Sequence, residues 1–194
     1  AYDSEKLLGE FIQANGLRNE AIVLTKIPSL TGSADYKHAI CSSLELSLMK
    51  LGCSIEVLFF HKPSDSEWIM KEPNFFEDLL NTYPVSSLGV SVYETQEVDI
   101  LSEAELDIAF QFPFNVLDQR FAKVTMPHGK RYARSIFLQG LLASNSGLRS
   151  DAPNALLNLQ NEYHRILVND NKNPLEVAIS FVVGNPTVDY YLIG

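Results

Sequence analysis

Six short apolar runs alternate with amphipathic or polar stretches along the 194 residues of this chain. The runs occupy residues 21–26 (AIVLTK), 55–61 (IEVLFFH), 87–93 (SLGVSVY), 107–114 (DIAFQFPF), 131–137 (RYARSIF) and 189–193 (DYYLI). Strands this apolar are buried on both faces, which is typical of a parallel sheet covered by helices. The pattern therefore predicts six strands of an α/β fold.

Apolar residues at helical spacing occupy the segments between these runs. The predicted helices are 4–14, 36–51, 67–81, 94–104, 155–167 and 174–183. Gly52 follows the second helix, where a left-handed residue commonly ends a helix, and Pro73 divides the third into two shorter ones. Pro174 lies in the first turn of the last helix, where proline is favoured. Strand and helix in alternation predict one α/β domain over residues 1–194 with right-handed crossovers.

Charge and composition exclude several classes of function. The formal net charge is −9, so a nucleic acid is not an expected partner. No apolar stretch reaches about 18 residues, and the first residues lack the basic start and apolar core of a signal peptide. We therefore expect a cytoplasmic protein in which Cys41 and Cys53 are reduced. The GxG spacing of nucleotide-binding loops and metal-ligand spacings such as CxxC and HExxH are absent.

Two titratable side chains end neighbouring runs. Lys26 ends the first run and His61 ends the second. In a (β/α)8 barrel the C-terminal ends of the strands face the active-site mouth. Either residue alone is compatible with a strand end that emerges into solvent, whereas the pair at the same end of adjacent strands favours a site.

An ordered series of segments resembles the aldo/keto reductase family. The segments are YDSEKLLG at 2–9, TK at 25–26, SLMKLG at 47–52 before IEVLFFH, LGVS at 88–91, QFPFNVLD at 111–118, RS at 134–135, QGLL at 139–142, and GNP, VD and LIG between 184 and 194. They extend in order over nearly the whole chain. The resemblance implies a (β/α)8 TIM barrel whose first strands and C-terminal end are absent here.

The resemblance also implies a catalytic set of Tyr2, Lys26 and His61, with an Asp as a fourth member upstream of Tyr2. A phenol titrates near pH 10, and a nearby ammonium lowers the pKa of such a group. Tyr2 would then protonate the carbonyl oxygen as a general acid. His61 would hydrogen-bond the same oxygen and orient the carbonyl. The implied reaction reduces a small-molecule aldehyde, ketone or sugar carbonyl to the alcohol.

A nicotinamide cofactor follows from the same resemblance, with NADP(H) favoured and NAD(H) as the alternative. The implied contacts are Ser91 and Gln111 at the carboxamide, Arg134 stacked on the nicotinamide in place of a family aromatic, and Ser135, Phe137 and Gly140 at the pyrophosphate. From the residues alone, Ser91 and Gln111 are also compatible with purely structural roles.

Two other functions stay open at this point. One is a Schiff-base lyase in which Lys26 is the nucleophile and His61 moves protons. The other is a barrel that binds cofactor or a partner without turnover, because the family's Asp is absent from this chain.

Overall fold

The computed structural model describes residues 3–99, 101, 103–104, 106–126, 129–143 and 153–193. The chain divides into two compact units, one of Ala1–Phe110 with Met126–Gly129 and one of Gln111–Thr125 with Lys130–Gly194. Each unit is described by itself below. The single-domain organisation expected from the sequence stays a prediction.

Strands and helices alternate through the described residues. The strands are β1 Leu24–Ile27, β2 Ile55–Phe60, β3 Val85–Ser91, β4 Ile108–Pro113, β5 Arg131–Arg134 and β6 Tyr190–Tyr191. The α-helices are α1 Ser4–Ala14, α2 Tyr36–Leu51, α3 Glu67–Lys71, α4 Pro73–Thr82, α5 Gln96–Asp99, α6 Asn154–Asn169 and α7 Pro174–Val183. Short 3-10 helices lie at Pro63–Ser66 and Arg120–Lys123. The strand order in the sheet is β1-β2-β3-β4-β5-β6, and the predicted α/β class is confirmed.

In the first unit, β1, β2 and β3 pair in parallel. Lys26 lies opposite Phe59, and Phe59 lies opposite Gly89 on the next strand. Successive side chains of a strand point to opposite faces, so Phe60 faces away from Phe59. The Phe60 ring packs edge-on against Phe76 of α4 at 5.8 Å between centroids. Helices therefore cover the face that carries Phe60, and Lys26, Phe59 and Gly89 share the other face.

Gly89 makes room for the aromatic side chain on the neighbouring strand. A Cβ at this position would lie 2.5 Å from Cε1 of Phe59 and 2.8 Å from Cγ1 of Val57. The side chain of Phe59 is fully buried. Interiors packed this closely have no room for an added methyl group, which explains the glycine within a strand.

Gly9 sets the close approach of α1 to α2. A Cβ on Gly9 would lie 2.0 Å from the carbonyl oxygen of Lys50 and 3.0 Å from Cα of Leu51. In the first turn of α1, Glu5 accepts a hydrogen bond from Thr25 Oγ1 at 2.6 Å and lies 3.7 Å from Lys50 Nζ. The start of α1 is therefore held against both α2 and the strand that carries Lys26.

In the second unit, β5 and β6 pair in parallel, with Tyr132 opposite Tyr190 and their rings stacked at 5.0 Å. The Asp189 carboxylate accepts hydrogen bonds from the Arg131 main-chain N–H at 2.8 Å, from Nε at 2.9 Å and from Nη2 at 2.8 Å. This bidentate pair fixes the register of the two strands. Helices α6 and α7 pack around a buried cluster of Leu141, Leu142, Tyr163, Leu167 and Ala178.

The predicted elements agree with the structure except at particular ends. The left-handed Gly52, at φ +65°, ends α2 as predicted, and α3 and α4 separate at Pro73. The strand predicted at 131–137 stops at Arg134, because Ser135 adopts φ +57° and cannot continue an extended strand. The helix predicted at 94–104 is reduced to α5. The Ser-, Asn- and Asp-rich composition of residues 143–154 also predicts a long loop, and this segment lies largely outside the described residues.

Candidate active site

Three of the predicted site residues stand at the C-terminal ends of neighbouring parallel strands. Lys26 is the penultimate residue of β1, His61 directly follows β2, and Ser91 is the last residue of β3. Ser91 lies two residues after Gly89, so Ser91 and Lys26 share the face that α4 does not cover. Lys26 is half-buried, His61 is exposed and Ser91 is buried. The structure thus brings an ammonium, an imidazole and a hydroxyl to the C-terminal ends of three neighbouring strands in the first unit.

Side chains that sequence reasoning missed link the loops after β1 and β2. The buried Asp65 accepts a hydrogen bond from the Leu30 main-chain N–H at 2.9 Å. Lys62 Nζ donates to Thr31 Oγ1 at 3.0 Å. These contacts couple the segments that follow Lys26 and His61. Both partners of each contact lie in loops far apart in sequence, so no local pattern predicted them.

Tyr2 lies outside the described residues, so its predicted role stays a prediction. The first described turn of α1 does lie near the edge that carries Lys26, because Glu5 accepts from the hydroxyl of Thr25, the residue before Lys26. The Ser-Glu-x-x-Leu-Gly part of the opening motif therefore has a structural role. Glu5 attaches α1 to β1, and Gly9 lets α1 approach α2.

The second unit carries the remaining predicted residues. Gln111 is buried within β4, and Arg134 ends β5. The segment after Arg134 has four left-handed residues: Ser135 at φ +57°, Leu138 at +45°, Gln139 at +54° and Gly140 at +92°. Ser135, Phe137 and Gly140 line a concave pocket of about 390 Å³ together with Ile136, Gln139, Ala143 and Leu192.

This segment has the donors that a pyrophosphate requires. Successive main-chain N–H groups in turns that mix right- and left-handed residues can form a concavity that binds anions. Among the residues that the structure describes, no protein acceptor pairs with the N–H groups of Ile136, Phe137 or Gln139. The pocket and these donors fit the phosphate groups of a dinucleotide.

Arg134 has an acidic neighbour that sequence reasoning missed. Asp118 accepts hydrogen bonds from Nε and Nη2 of Arg120, both at 2.9 Å. Those bonds, with the nearby positive charge of Arg134 contributing, lower the pKa of the Asp118 carboxyl. Asp118 therefore stays ionised near the guanidinium that would face the nicotinamide.

Trp68, in α3 after His61, packs into the protein rather than forming an open cage. Its ring stacks on Tyr36 at 3.9 Å with an interplanar angle of 11°, and Lys71 Nζ lies 5.2 Å from its centroid. Phe75 meets Tyr36 edge-on at 6.3 Å. These ring contacts join α2, α3 and α4.

Candidate polar side chains at the C-terminal ends of consecutive parallel strands are typical of α/β barrel enzymes. The sequence matches the aldo/keto reductase family over residues 1–194, and the chain belongs to that family. It is therefore an oxidoreductase that reduces carbonyl groups with a nicotinamide cofactor.

A solved structure confirms the fold. A glycerol dehydrogenase from Gluconobacter oxydans superposes with a TM-score of 0.73 at 20% identity, covering 97% of this chain and 67% of the other. At this identity the likeness concerns the fold alone, and the fold is the (β/α)8 type predicted from the sequence. A search of curated proteins found no significant match. None of the described helices is long and apolar enough to cross a membrane.

Proposed function

We propose that this protein reduces an aldehyde, ketone or sugar carbonyl to the alcohol with NADP(H) as the favoured cofactor, and that Tyr2, Lys26 and His61 are its catalytic residues. The observation that carries the proposal is the alignment of Lys26, His61 and Ser91 at the ends of three neighbouring parallel strands. Family membership supports the reaction type.

Each catalytic side chain has one task. The Lys26 ammonium stabilises a phenolate and so lowers the pKa of a nearby phenol, which makes Tyr2 an effective proton donor to the carbonyl oxygen. His61 donates a hydrogen bond to the same oxygen and orients the substrate. The reduced nicotinamide, when bound, supplies the hydride that the carbonyl carbon accepts.

Chain connectivity supports the assignment of Tyr2. Two residues separate Tyr2 from Glu5, and the three residue steps between them span at most about 10 Å. Glu5 hydrogen-bonds Thr25, which directly precedes Lys26 in β1. The sequence position of Tyr2 is therefore compatible with a role beside Lys26.

The cofactor contacts are proposed on the same basis. Ser135, Phe137 and Gly140 line the pocket whose main-chain donors suit the pyrophosphate. The Arg134 guanidinium is planar and suited to stacking on the nicotinamide. Ser91 and Gln111, both buried polar side chains, would hydrogen-bond the carboxamide. Titrating the protein with NADPH and NADH separately tests the preference, and tighter binding of NADH would overturn it.

The decisive experiment compares Tyr2→Phe with Tyr83→Phe in the full-length protein. Tyr83 bonds Glu45 on α2 and lies in the turn before β3, at the opposite end of the strands, so it is a matched control. Loss of the general acid should lower kcat by about 10²–10⁴-fold for Tyr2→Phe. NADPH fluorescence should report unchanged binding, and the control should keep wild-type kcat. Turnover by Tyr2→Phe within a few-fold of wild type would overturn the catalytic assignment.

The same assays separate the competing functions. Wild-type protein that binds NADPH but oxidises it with no member of an aldehyde, ketone and sugar panel is a binding barrel. Borohydride trapping of a carbonyl substrate on Lys26 would instead identify a Schiff-base lyase. The reductase proposal requires turnover and no adduct.

We also propose a cytoplasmic location. Cys41 and Cys53 are both free thiols in the structure, which suits a reducing compartment. Microscopy of the tagged full-length protein tests this, and a signal confined to a secretory compartment or organelle would overturn it.

A further inference from the structure

Asn115 connects the ends of two strands in the second unit. Its side chain is completely buried. The amide oxygen Oδ1 accepts hydrogen bonds from the main-chain N–H groups of Leu117 and Asp118, both at 2.9 Å. The amide nitrogen Nδ2 donates to the carbonyl oxygen of Ser135 at 3.1 Å. One side chain thus joins the turn after β4 to the residue that follows β5.

The turn that Asn115 begins is closed by its main chain as well. The Asn115 N–H donates to the Asp118 carbonyl oxygen at 3.0 Å, and the Asp118 N–H donates to the Asn115 carbonyl oxygen at 3.2 Å. These bonds, with the two that Oδ1 accepts, fix the conformation of the turn from Asn115 to Asp118. Asn115 therefore links this turn to Ser135, the residue that directly follows Arg134.

The Ser135 carbonyl oxygen also anchors the segment that follows it. It accepts a second hydrogen bond, from the Leu138 N–H at 2.9 Å. Ser135, Leu138 and Gln139 hold left-handed backbone conformations that cost non-glycine residues on the order of 1 kcal/mol each. Such conformations persist only where surrounding contacts determine them. The Nδ2 donor of Asn115 supplies such a contact from outside the segment.

We propose that Asn115 is a positioning residue for the cofactor: it holds the segment from Ser135 to Gly140 in the conformation that presents main-chain N–H groups to the pyrophosphate. This inference rests on the proposed function. It makes Asn115 a determinant of cofactor affinity without contact to the reacting carbonyl.

Asn115→Asp removes one of these links selectively. A carboxylate in place of the amide still accepts from Leu117 and Asp118 but cannot donate to Ser135. The matched control is Gln119→Ala, which removes an exposed bond from Nε2 to the Val116 carbonyl oxygen at 2.8 Å on the same turn. If Asn115→Asp does not fold, Asn115→Ser, which is too short to reach Ser135, takes its place.

The readouts are the NADPH Kd by fluorescence, the KM for NADPH, kcat at saturating NADPH and amide hydrogen exchange over residues 136–143. For Asn115→Asp we expect Kd and KM to rise about tenfold and exchange over 136–143 to accelerate. We expect kcat to stay within about threefold of wild type. Gln119→Ala should match wild type in every readout.

The outcomes separate the two proposals. A wild type that does not bind NADPH overturns the proposed function and this inference with it. If the wild type binds NADPH and Asn115→Asp has the same Kd and KM for NADPH as the wild type, the inference about Asn115 is overturned and the proposed function stands. A lower melting temperature with unchanged NADPH affinity, or a fall in kcat without a change in Kd, also overturns it, because either result assigns Asn115 a different role.

Discussion

Replacing Gly9 by Ala puts a methyl group where α1 crosses α2. The new Cβ would lie 2.0 Å from the Lys50 carbonyl oxygen, whereas ordinary contacts begin at 3.4 Å. The obstructing atom belongs to the backbone of α2 and cannot rotate away. The two helices must therefore separate by more than about 1 Å. That movement also draws Glu5 away from Thr25 at the edge of β1.

The expected loss of stability combines three terms. Overpacking of a close contact costs about 1–3 kcal/mol. Breaking the hydrogen bond between Thr25 and Glu5 costs about 1 kcal/mol more, and the higher helix propensity of Ala over Gly returns about 1 kcal/mol. The free energy of unfolding should therefore fall by about 1–3 kcal/mol, which lowers Tm by about 2–12 °C in a protein of this size.

Thermal unfolding followed by circular dichroism measures this change, and kcat measured on the same samples reports the effect on the site. We expect kcat to fall together with Tm, because Tyr2 lies two residues before the start of α1 in the chain. Glu10→Ala is the matched control, since it removes only an exposed pair with Lys6 at 4.0 Å on the same helix. A Gly9→Ala protein at least as stable as wild type would refute this reading of the α1–α2 contact.

Three further changes have defined outcomes. Gly89→Ala pushes a methyl group into the Phe59 ring on the adjacent strand. The free energy of unfolding measured by denaturant titration should fall by about 1–3 kcal/mol. An unchanged denaturation midpoint would contradict this prediction. Bonds from Arg131 lower the pKa of Asp189, so the pair adds stability above about pH 4 that is lost as pH falls through the lower folded-state pKa. Asp189→Asn should cost about 1 kcal/mol at pH 7, a value discounted for partial exposure, and a gap from wild type that persists at pH 2 would contradict this. The hydrogen bond to Glu45 raises the pKa of Tyr83 to about 12, so the stability that this bond adds is full below about pH 10 and is lost as pH rises through 12. Tyr83→Phe should flatten that alkaline loss of stability. Identical alkaline melting curves for the variant and the wild type would contradict this prediction.

Much of the secondary structure was predictable from local signals. The bounds of α1, α2 and α7 agree with the periodicity of their apolar residues, because Gly52 and Pro174 are local stop and start signals that act through backbone geometry alone. The predicted C-terminal end of β5 was wrong, because apolar residues of the segment RYARSIF continue past Arg134. The left-handed Ser135 is held in part by a hydrogen bond from Asn115, 20 residues earlier, which no short window of sequence contains.

The candidate site divides in the same way. Family motifs identified Lys26, His61 and Ser91, and parallel pairing of consecutive strands places them at one edge of the sheet. The contacts of Asp65 with Leu30, and of Asn115 with Ser135, were not predictable. Asn115 did carry a signal, since an Asn that bonds the N–H groups two and three residues on is a common turn. The signal indicates the turn but not the distant carbonyl that its amide nitrogen meets.

The sequence alone determined the α/β class, the succession of strands and helices along the chain and the chemical identity of the candidate site residues, because backbone propensity and residue type are local properties. Only the tertiary structure decided which face of the sheet carries Lys26, how closely α1 approaches α2 at Gly9, and which buried amide supports the left-handed segment after β5. Those features depend on residues that are far apart in sequence and pack against one another in the folded chain. Close packing and the need to pair every buried polar group select such arrangements only once the chain is folded.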